Sequence, residues 1–251
     1  MSFEGKEIIS KQEAKIIYRE GDCTVKSFNE DYSKAMVLNE ALNQARVEET
    51  GLNIAKVREV RKDGERWAIV LDYIPGKTLA ELMQLHPERE DEYLKLFVSL
   101  QMEVHSKTCP MLGRLTEKMH RKIDLTSFSD TIKYELHTRL DGMPKHNKLC
   151  HGDFNPTNII ITDEGTPYII DWAHATQGNA SADVARTFLL FNLEGKVELA
   201  EKYIELFCKM SGTDRRYVNK WIPIVAASQS VKGKKGEETL LRRWVDVVEY
   251  E

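Results

Sequence analysis

One stretch constrains this chain more than any other. Leu149-Cys150-His151-Gly152-Asp153-Phe154-Asn155-Pro156-Thr157-Asn158 runs into the apolar Ile159-Ile160-Ile161, turns at Asp163-Glu164-Gly165, and returns through Tyr168-Ile169-Ile170 to Asp171-Trp172. Two short apolar runs around a glycine-bearing turn predict an antiparallel hairpin. Pairing the runs brings Asp171 back to the end from which Asn158 departs, so an amide oxygen and a carboxylate share one end of the hairpin. Upstream, Asp153 sits beside Gly152, whose missing side chain leaves room next to the carboxylate. The pattern requires a fold that holds a loop, a hairpin and two acids in fixed register.

The rest of the composition narrows the setting. At 251 residues the chain can form one large domain or two small lobes. With 36 Lys and Arg against 40 Asp and Glu, the formal net charge of -4 gives no reason to expect a nucleic-acid partner. The basic run Lys232-Gly233-Lys234-Lys235 is balanced by Glu237 and Glu238 and reads as a solvated loop. Cys23, Cys109, Cys150 and Cys208 are scattered with no Cys-x-x-Cys pair, which suits reduced thiols in a cytoplasmic protein. The opening Met1-Ser2-Phe3-Glu4-Gly5-Lys6-Glu7 lacks the apolar core of a secretory signal. No apolar run approaches the roughly 20 residues that span a bilayer. The expectation is therefore a cytoplasmic location with no membrane and no nucleic-acid partner.

Taken in order, Glu7 to Ser10, Ala14 to Arg19 and Cys23 to Phe28 read as an antiparallel meander, with a turn at Glu20-Gly21-Asp22. Lys26 lies on the third strand. From Tyr32 to Glu49 the apolar positions Ala35, Leu38, Leu42 and Ala45 recur at helical spacing, and Gly51 supplies a stop. Glu40 falls inside that helix, either as a partner for Lys26 or as one more surface glutamate beside Glu48 and Glu49. Val57 to Arg61 and Trp67 to Ile74 complete the sheet through a hairpin turn at Lys62-Asp63-Gly64. Pro75-Gly76 breaks the last strand, and Thr78 is placed to cap a helix. Helical periodicity then dominates: Thr78 to Leu85, Asp91 to Ser106 and Ser127 to Leu140 before the catalytic stretch, and Ala182 to Phe191, Glu194 to Met210, Tyr217 to Ser230 and Glu238 to Val248 after it. His105 and His120 within these helices read as core or surface histidines, and His174 as a surface one.

The residue types fit one chemistry. Phosphoryl transfer asks a protein for positioning, charge neutralisation and a group that orients the acceptor hydroxyl. Asp153 suits the last of these as a base, with His151 propping its loop. Asn158 and Asp171 offer the hard oxygens that Mg2+ prefers, leaving its other positions to water and phosphate. Asp183, after Asn179-Ala180-Ser181-Ala182, reads as a cap or anchor of the next helix that supports the loop. His-x-Asp-x-x-x-x-Asn, a hairpin and a second Asp together have the layout of a kinase catalytic loop and metal-binding segment.

With these residues in place the chain resembles the aminoglycoside phosphotransferase family, which also includes choline, homoserine and other small-molecule kinases. The matching segments are Cys150 to Ile159, Ile169-Ile170-Asp171-Trp172 and Asp183-Val184-Ala185-Arg186, and more loosely Tyr73 to Leu79. The resemblance implies an α+β, two-lobed protein-kinase-like fold: a small antiparallel-sheet lobe with one helix over 1–74, and a larger, mainly helical lobe over 75–251. It further implies ATP, or possibly GTP, as phosphoryl donor, Mg2+, Asp153 as catalytic base, and Asn158 with Asp171 as metal ligands. Lys26 would touch the phosphates, held by Glu40, and Asp72, Tyr73 and Ile74 would be the hinge that meets adenine, unless they form an ordinary strand-to-helix turn.

Two features depart from that pattern. Ser10-Lys11-Gln12-Glu13-Ala14 contains no glycine where a Gly-rich loop would let amides approach phosphates. The ending Trp244 to Glu251 does not match true aminoglycoside kinases, and its acids could attract a cationic acceptor or be merely solvated. Only a dozen residues separate Asp171 from Asp183, with no Ala-Pro-Glu end, which argues against a protein substrate. The expected activity is transfer of a γ-phosphate to a hydroxyl of a small molecule: an antibiotic, amino alcohol, vitamin or sugar. The alternative is a pseudokinase or nucleotide-sensing module of the same fold, with a hydrolase metal site from His151, Asp153, Asp171 and His174 a remote third.

Overall fold

The computed structural model describes residues 5–246. The start of the opening segment, Met1 to Glu4, and the acids Glu249 and Glu251 of the ending lie outside them. In chain order the first elements are β1 (Glu7–Lys11), β2 (Lys15–Glu20), β3 (Cys23–Phe28), α1 (Lys34–Glu48), β4 (Val57–Asp63), β5 (Arg66–Asp72), β6 (Lys77–Thr78) and α2 (Leu79–Leu85). There follow α3 (Glu90–Ser106), α4 (Leu115–Asp124), α5 (Asp130–Asp141), β7 (Lys148–Cys150), β8 (Ile159–Ile161), β9 (Pro167–Ile169) and β10 (Thr176–Gly178). The chain continues with α6 (Ala180–Leu193), α7 (Val197–Ser211), α8 (Arg215–Asn219), α9 (Ile222–Ser230) and α10 (Glu238–Asp246). Two compact units result: Met1–Pro87 with Pro156–Ala175, and Glu88–Asn155 with Thr176–Glu251. The stretch that opened the sequence argument is divided between them, His151 to Asn155 in the second and Asn158 to Asp171 in the first.

The first unit is built on an antiparallel sheet of order β1-β2-β3-β5-β4. Alternation along β3 and β5 gives the sheet two apolar faces. Phe28, Ile69 and Leu71 pack against Val37 and Ala41 of α1 on one face, and Tyr18, Val25, Ala68 and Val70 form a core on the other. Helix α1 starts on the Ser33 side chain, which accepts from the Met36 amide at 3.3 Å. Its inner face is not the one that apolar spacing suggests. Leu38 and Leu42 are 43% and 47% exposed, while Val37, Glu40, Ala41, Gln44 and Val47 are buried. The helix turns its polar Glu40, Asn43 and Gln44 inward because each finds a hydrogen-bond partner there: Lys26, the Ala173 carbonyl and the Ala55 carbonyl.

The predicted hairpin is present as β8 and β9, with Ile159 opposite Ile169, and β6 adds a third strand. Thr78 caps α2 in a capping box with Glu81, the Glu81 amide reaching Thr78 Oγ1 at 3.1 Å and the Thr78 amide reaching Glu81 Oε2 at 2.7 Å. Gly76 has φ +145°, and a Cβ there would run into the Ile161 carbonyl. Glycine at this break therefore permits the close pairing of β6 with β8.

The second unit is helical apart from the short β7–β10 pair, whose three-residue strands are too brief for a periodic signal. Its core gathers aromatic rings, with Phe97 of α3 4.8 Å from Phe154 and 5.6 Å from Tyr203. Two helical assignments change. Helix α4, which carries His120, has no range of its own in the helical stretch read from sequence, since its buried side is only Leu115, Met119 and Ile123 among charged residues. The single helix expected over Tyr217 to Ser230 is two, α8 and α9, with buried Trp221 between them and Pro223 in the first turn of α9, where a missing N–H costs nothing. Among the described residues no helix is long and apolar enough to cross a membrane.

Candidate active site

The first unit contains a cavity of about 520 Å³. Lys26, Asp72, Tyr73, Ile74, Asn158 and Asp171 all line it, so six of the residues singled out from the sequence meet in one place. Apolar walls come from Ile17, Leu71 and Ile170. The volume falls within the range of small-ligand sites. At the hinge candidates, the Asp72 amide bonds to the Lys56 carbonyl and the Tyr73 amide to the Asp22 carbonyl. The Asp72 carboxylate turns to Arg58 at 2.6 Å.

At one end of this cavity the charges form a chain. Lys26 Nζ lies 2.9 Å from Glu40 Oε1 and 2.8 Å from Asp171 Oδ1. Of the two readings of Glu40, the structure gives the pairing. Burial pulls Lys26 down, but the carboxylates of Asp171 and Glu40 more than reverse this and hold its ammonium above the ordinary lysine range. Lys15, at the start of β2, joins them at 3.4 Å from Asp171 and 3.7 Å from Glu40. The sequence argument did not single out Lys15; its signal was its place where the glycine-free turn, closed by the Gln12 amide on the Lys15 carbonyl, enters β2.

The hairpin end is held firmly. The Ile170 amide donates to the Asn158 carbonyl at 2.9 Å, fixing Asn158 opposite the residue that precedes Asp171. Asp171 has φ 64° and ψ 61°, the left-handed region, and among the described residues it is the one non-glycine with positive φ. That conformation strains an L-residue and is retained where surroundings fix it. Trp172, fully buried, anchors the turn through its indole N–H on the Ile169 carbonyl at 3.0 Å. Among the described residues no group of three or more His, Cys, Asp or Glu converges as a metal site. An Asn oxygen and one carboxylate suit Mg2+, which takes few protein ligands and keeps water and phosphate oxygens.

In the second unit Asp153 sits on its loop with a side chain 30% exposed, 3.5 Å from Arg186 Nη2. His151 is wholly buried and accepts the Asp153 amide on Nδ1 at 3.2 Å. Asp183 does more than anchor a helix. Its oxygens take the amides of Gly152 at 2.7 Å and His151 at 3.1 Å, and its Oδ2 meets His105 Nε2 at 3.0 Å. The cap of α6 is instead Asn179, whose side chain accepts from the Ser181 amide at 3.0 Å. Burial pushes the Asp183 carboxyl up, but His105 and the loop amides reverse this and leave it below the usual carboxylate range. Of the two readings of His105, core or surface, its burial gives the core one. The sequence missed its pairing with Asp183, 78 positions away, because nothing local signals it. Arg186 was quoted in a motif without a role. It is buried, with Nη1 2.6 Å from Gln229 Oε1.

The sequence profile of the phosphotransferase enzyme family matches residues 7–219. No curated protein matches. Among solved structures, a thermostable mutant of aminoglycoside phosphotransferase APH(4)-Ia in ternary complex with ADP and hygromycin B is similar at 14% identity with a TM-score of 0.72, covering 98% of this chain and 93% of that one. The aminoglycoside-3'-phosphotransferase of type VIII is similar at 15% identity with a TM-score of 0.67, covering 89% and 94%. Choline kinase LicA from Streptococcus pneumoniae is similar at 15% identity with a TM-score of 0.63, covering 96% and 94%. These likenesses show the fold to be the α+β, two-lobed protein-kinase-like one.

Proposed function

The chain belongs to the phosphotransferase enzyme family and is a small-molecule kinase, and from that premise we propose that it moves the γ-phosphate of ATP, or of GTP, to a hydroxyl of a small acceptor in a Mg2+-dependent reaction. One observation carries this reading: the Lys26–Glu40–Asp171 ion-pair chain stands at a cavity that Asn158 also lines. Phosphates in that cavity would draw Lys26 while Glu40 keeps it aimed, and Asp72, Tyr73 and Ile74 would border the base. With the Asp72 and Tyr73 amides already bonded, this segment would meet a purine through its carbonyls or the Ile74 amide. Asn158 and Asp171 would hold magnesium, which when bound neutralises phosphate charge. Asp153 would take the proton of the acceptor hydroxyl as its oxygen forms the new P–O bond and the bond to the leaving diphosphate breaks. His151 and Asp183 would keep that loop in place.

Residues 1–74 would serve the nucleotide and 75–251 the catalytic and acceptor functions, with the hairpin from Ile159 adding to the nucleotide side. Nucleotide complexes of the similar proteins, with ADP in the aminoglycoside phosphotransferase and AMP in LicA, support the donor class. Four scattered cysteines with no Cys-x-x-Cys pair suit a cytoplasmic setting. The test is ATP and GTP consumption with Mg2+ against aminoglycosides, choline, ethanolamine, homoserine, thiamine and sugars, with Asp153→Ala as control. Acceptor-stimulated turnover that falls about 10³-fold in the variant is expected; turnover retained by the variant overturns the base assignment. A second reading, a nucleotide-sensing module, is favoured by the glycine-free turn before Lys15. It would replace the first if nucleotide binds with Mg2+ while no acceptor on any panel stimulates turnover.

A further inference from the structure

Three lysines of the second unit gather near Arg186, whose guanidinium touches Asp153, and the phosphoryl transfer outlined above assigns no work to these four cations. Lys118 and Lys122 stand one turn apart on α4, Arg186 lies on α6, and Lys232 follows α9. Hydrogen bonds hold two of its members, Arg186 and Lys122. Buried Arg186 spans Gln229 at 2.6 Å and Asp153 at 3.5 Å. Lys122 Nζ donates to the Ser228 carbonyl at 3.4 Å, next to Gln229 on α9. Among the described residues, the carboxylates facing the group are Asp153, Glu237, and Asp183, which already serves His105 and the loop amides. Glu237 is engaged by Gln229 Nε2 at 2.6 Å.

This local excess of positive charge occurs in a chain whose formal net charge is -4. It is also costly. Burial together with Lys122 and Arg186 pushes Lys118 down to about 7, and burial with Arg186 and Lys232 pushes Lys122 down to about 8. Lys232, although exposed, is lowered too, by partial desolvation and then by Arg186. Cations crowded together until they lose their protons more readily are stabilised by any anion that settles among them.

Building on the reading of Asp153 as the base for the acceptor, we propose that the acceptor is a small hydroxylated anion, bearing a carboxylate or a phosphate, and that Lys118, Lys122, Arg186 and Lys232 bind that group. Because Arg186 already touches Asp153, an anion seated on its guanidinium leaves a neighbouring hydroxyl beside the Asp153 carboxylate. A cationic acceptor such as an amino alcohol or an aminoglycoside would meet like charge at the same place, and the cluster would select against it.

The test is calorimetric titration of the full chain saturated with ADP and Mg2+, so that phosphate cannot enter the nucleotide cavity. Glycerol 3-phosphate and glycerate are the phosphate and carboxylate probes, and choline is the cationic one. At least one anion is expected to bind and choline not to. Lys122→Gln should weaken the anion about tenfold, and Lys122→Arg should restore most of the loss. Whichever of the two anions binds more tightly identifies the group. The inference is overturned if neither anion binds, if choline binds more tightly than both, or if Lys122→Gln binds the anion as the unaltered chain does. The preceding ADP titration reads the kinase proposal separately: absence of ADP binding overturns that reading, whereas ADP binding without anion binding overturns this one alone.

Discussion

Two charge clusters, one in each unit, are assembled from the same residue types to opposite effect. Around Lys26, two cations meet two carboxylates, Lys26 and Lys15 against Glu40 and Asp171, and the central ammonium is held above its ordinary range. Around Arg186, the cations outnumber the carboxylates that face them among the described residues, and the lysines are driven down. The first cluster is neutral by itself and holds its geometry through internal ion pairs. The second is not, and its surplus sign describes what it is suited to receive. The difference teaches that buried charge is informative by its imbalance more than by its presence.

The comparison can be broken most severely at its acidic members. Asp153→Ala should cut acceptor-dependent turnover about 10³-fold while calorimetry finds nucleotide affinity nearly unchanged; a large loss of nucleotide affinity would merge the two clusters into one function. Asp183→Ala leaves two loop amides and His105 without their acceptor, and urea unfolding should report about 3 kcal/mol of lost stability at neutral pH. The sign with pH follows from the lowered carboxyl. Its contribution is complete above the ordinary Asp value of about 4 and fades as pH falls through its folded-state value, so variant and parent should converge in acid.

Two lysine variants sharpen the contrast. Lys26→Met leaves Glu40 buried beside one remaining cation, and should weaken ATP by about 2 kcal/mol while weakening adenosine much less; equal losses would make Lys26 a structural lysine. Lys118→Met tests the surplus itself. The folded lysine titrates near 7 against an ordinary 10.5, so the unfolded chain binds that proton more readily and stability falls as pH drops from 10.5 to 7. The variant should remove that slope and gain up to about 5 kcal/mol below pH 7, with no gain above pH 10.5; an unchanged slope would show that Lys118 carries no strain.

Much of the first cluster was legible from sequence, and little of the second. Asn158, the Ile159–Ile161 strand and Asp171 are joined by a short hairpin, so their meeting follows from period-two alternation and one glycine turn. The Thr78 capping box was readable for the same reason, since its partner is three residues away. Apolar spacing misjudged the inner face of α1, because polar pairing with Lys26 and two carbonyls outweighed the burial of Leu38 and Leu42. A short-range pattern cannot register a partner supplied by another strand.

By itself, then, the sequence determined the elements that neighbours in the chain can build: the meander, the hairpin, the loop carrying Asp153 and the helical character of what surrounds it. Only the tertiary structure decided that Glu40 faces Lys26, that Asp183 holds the His151–Gly152 amides with His105, and that lysines from α4 and the end of α9 gather near Arg186 of α6, which touches Asp153. The physical reason is distance along the chain. Propensity and periodicity act over a few residues, whereas ion pairs and desolvation act between groups that meet only when the core has closed.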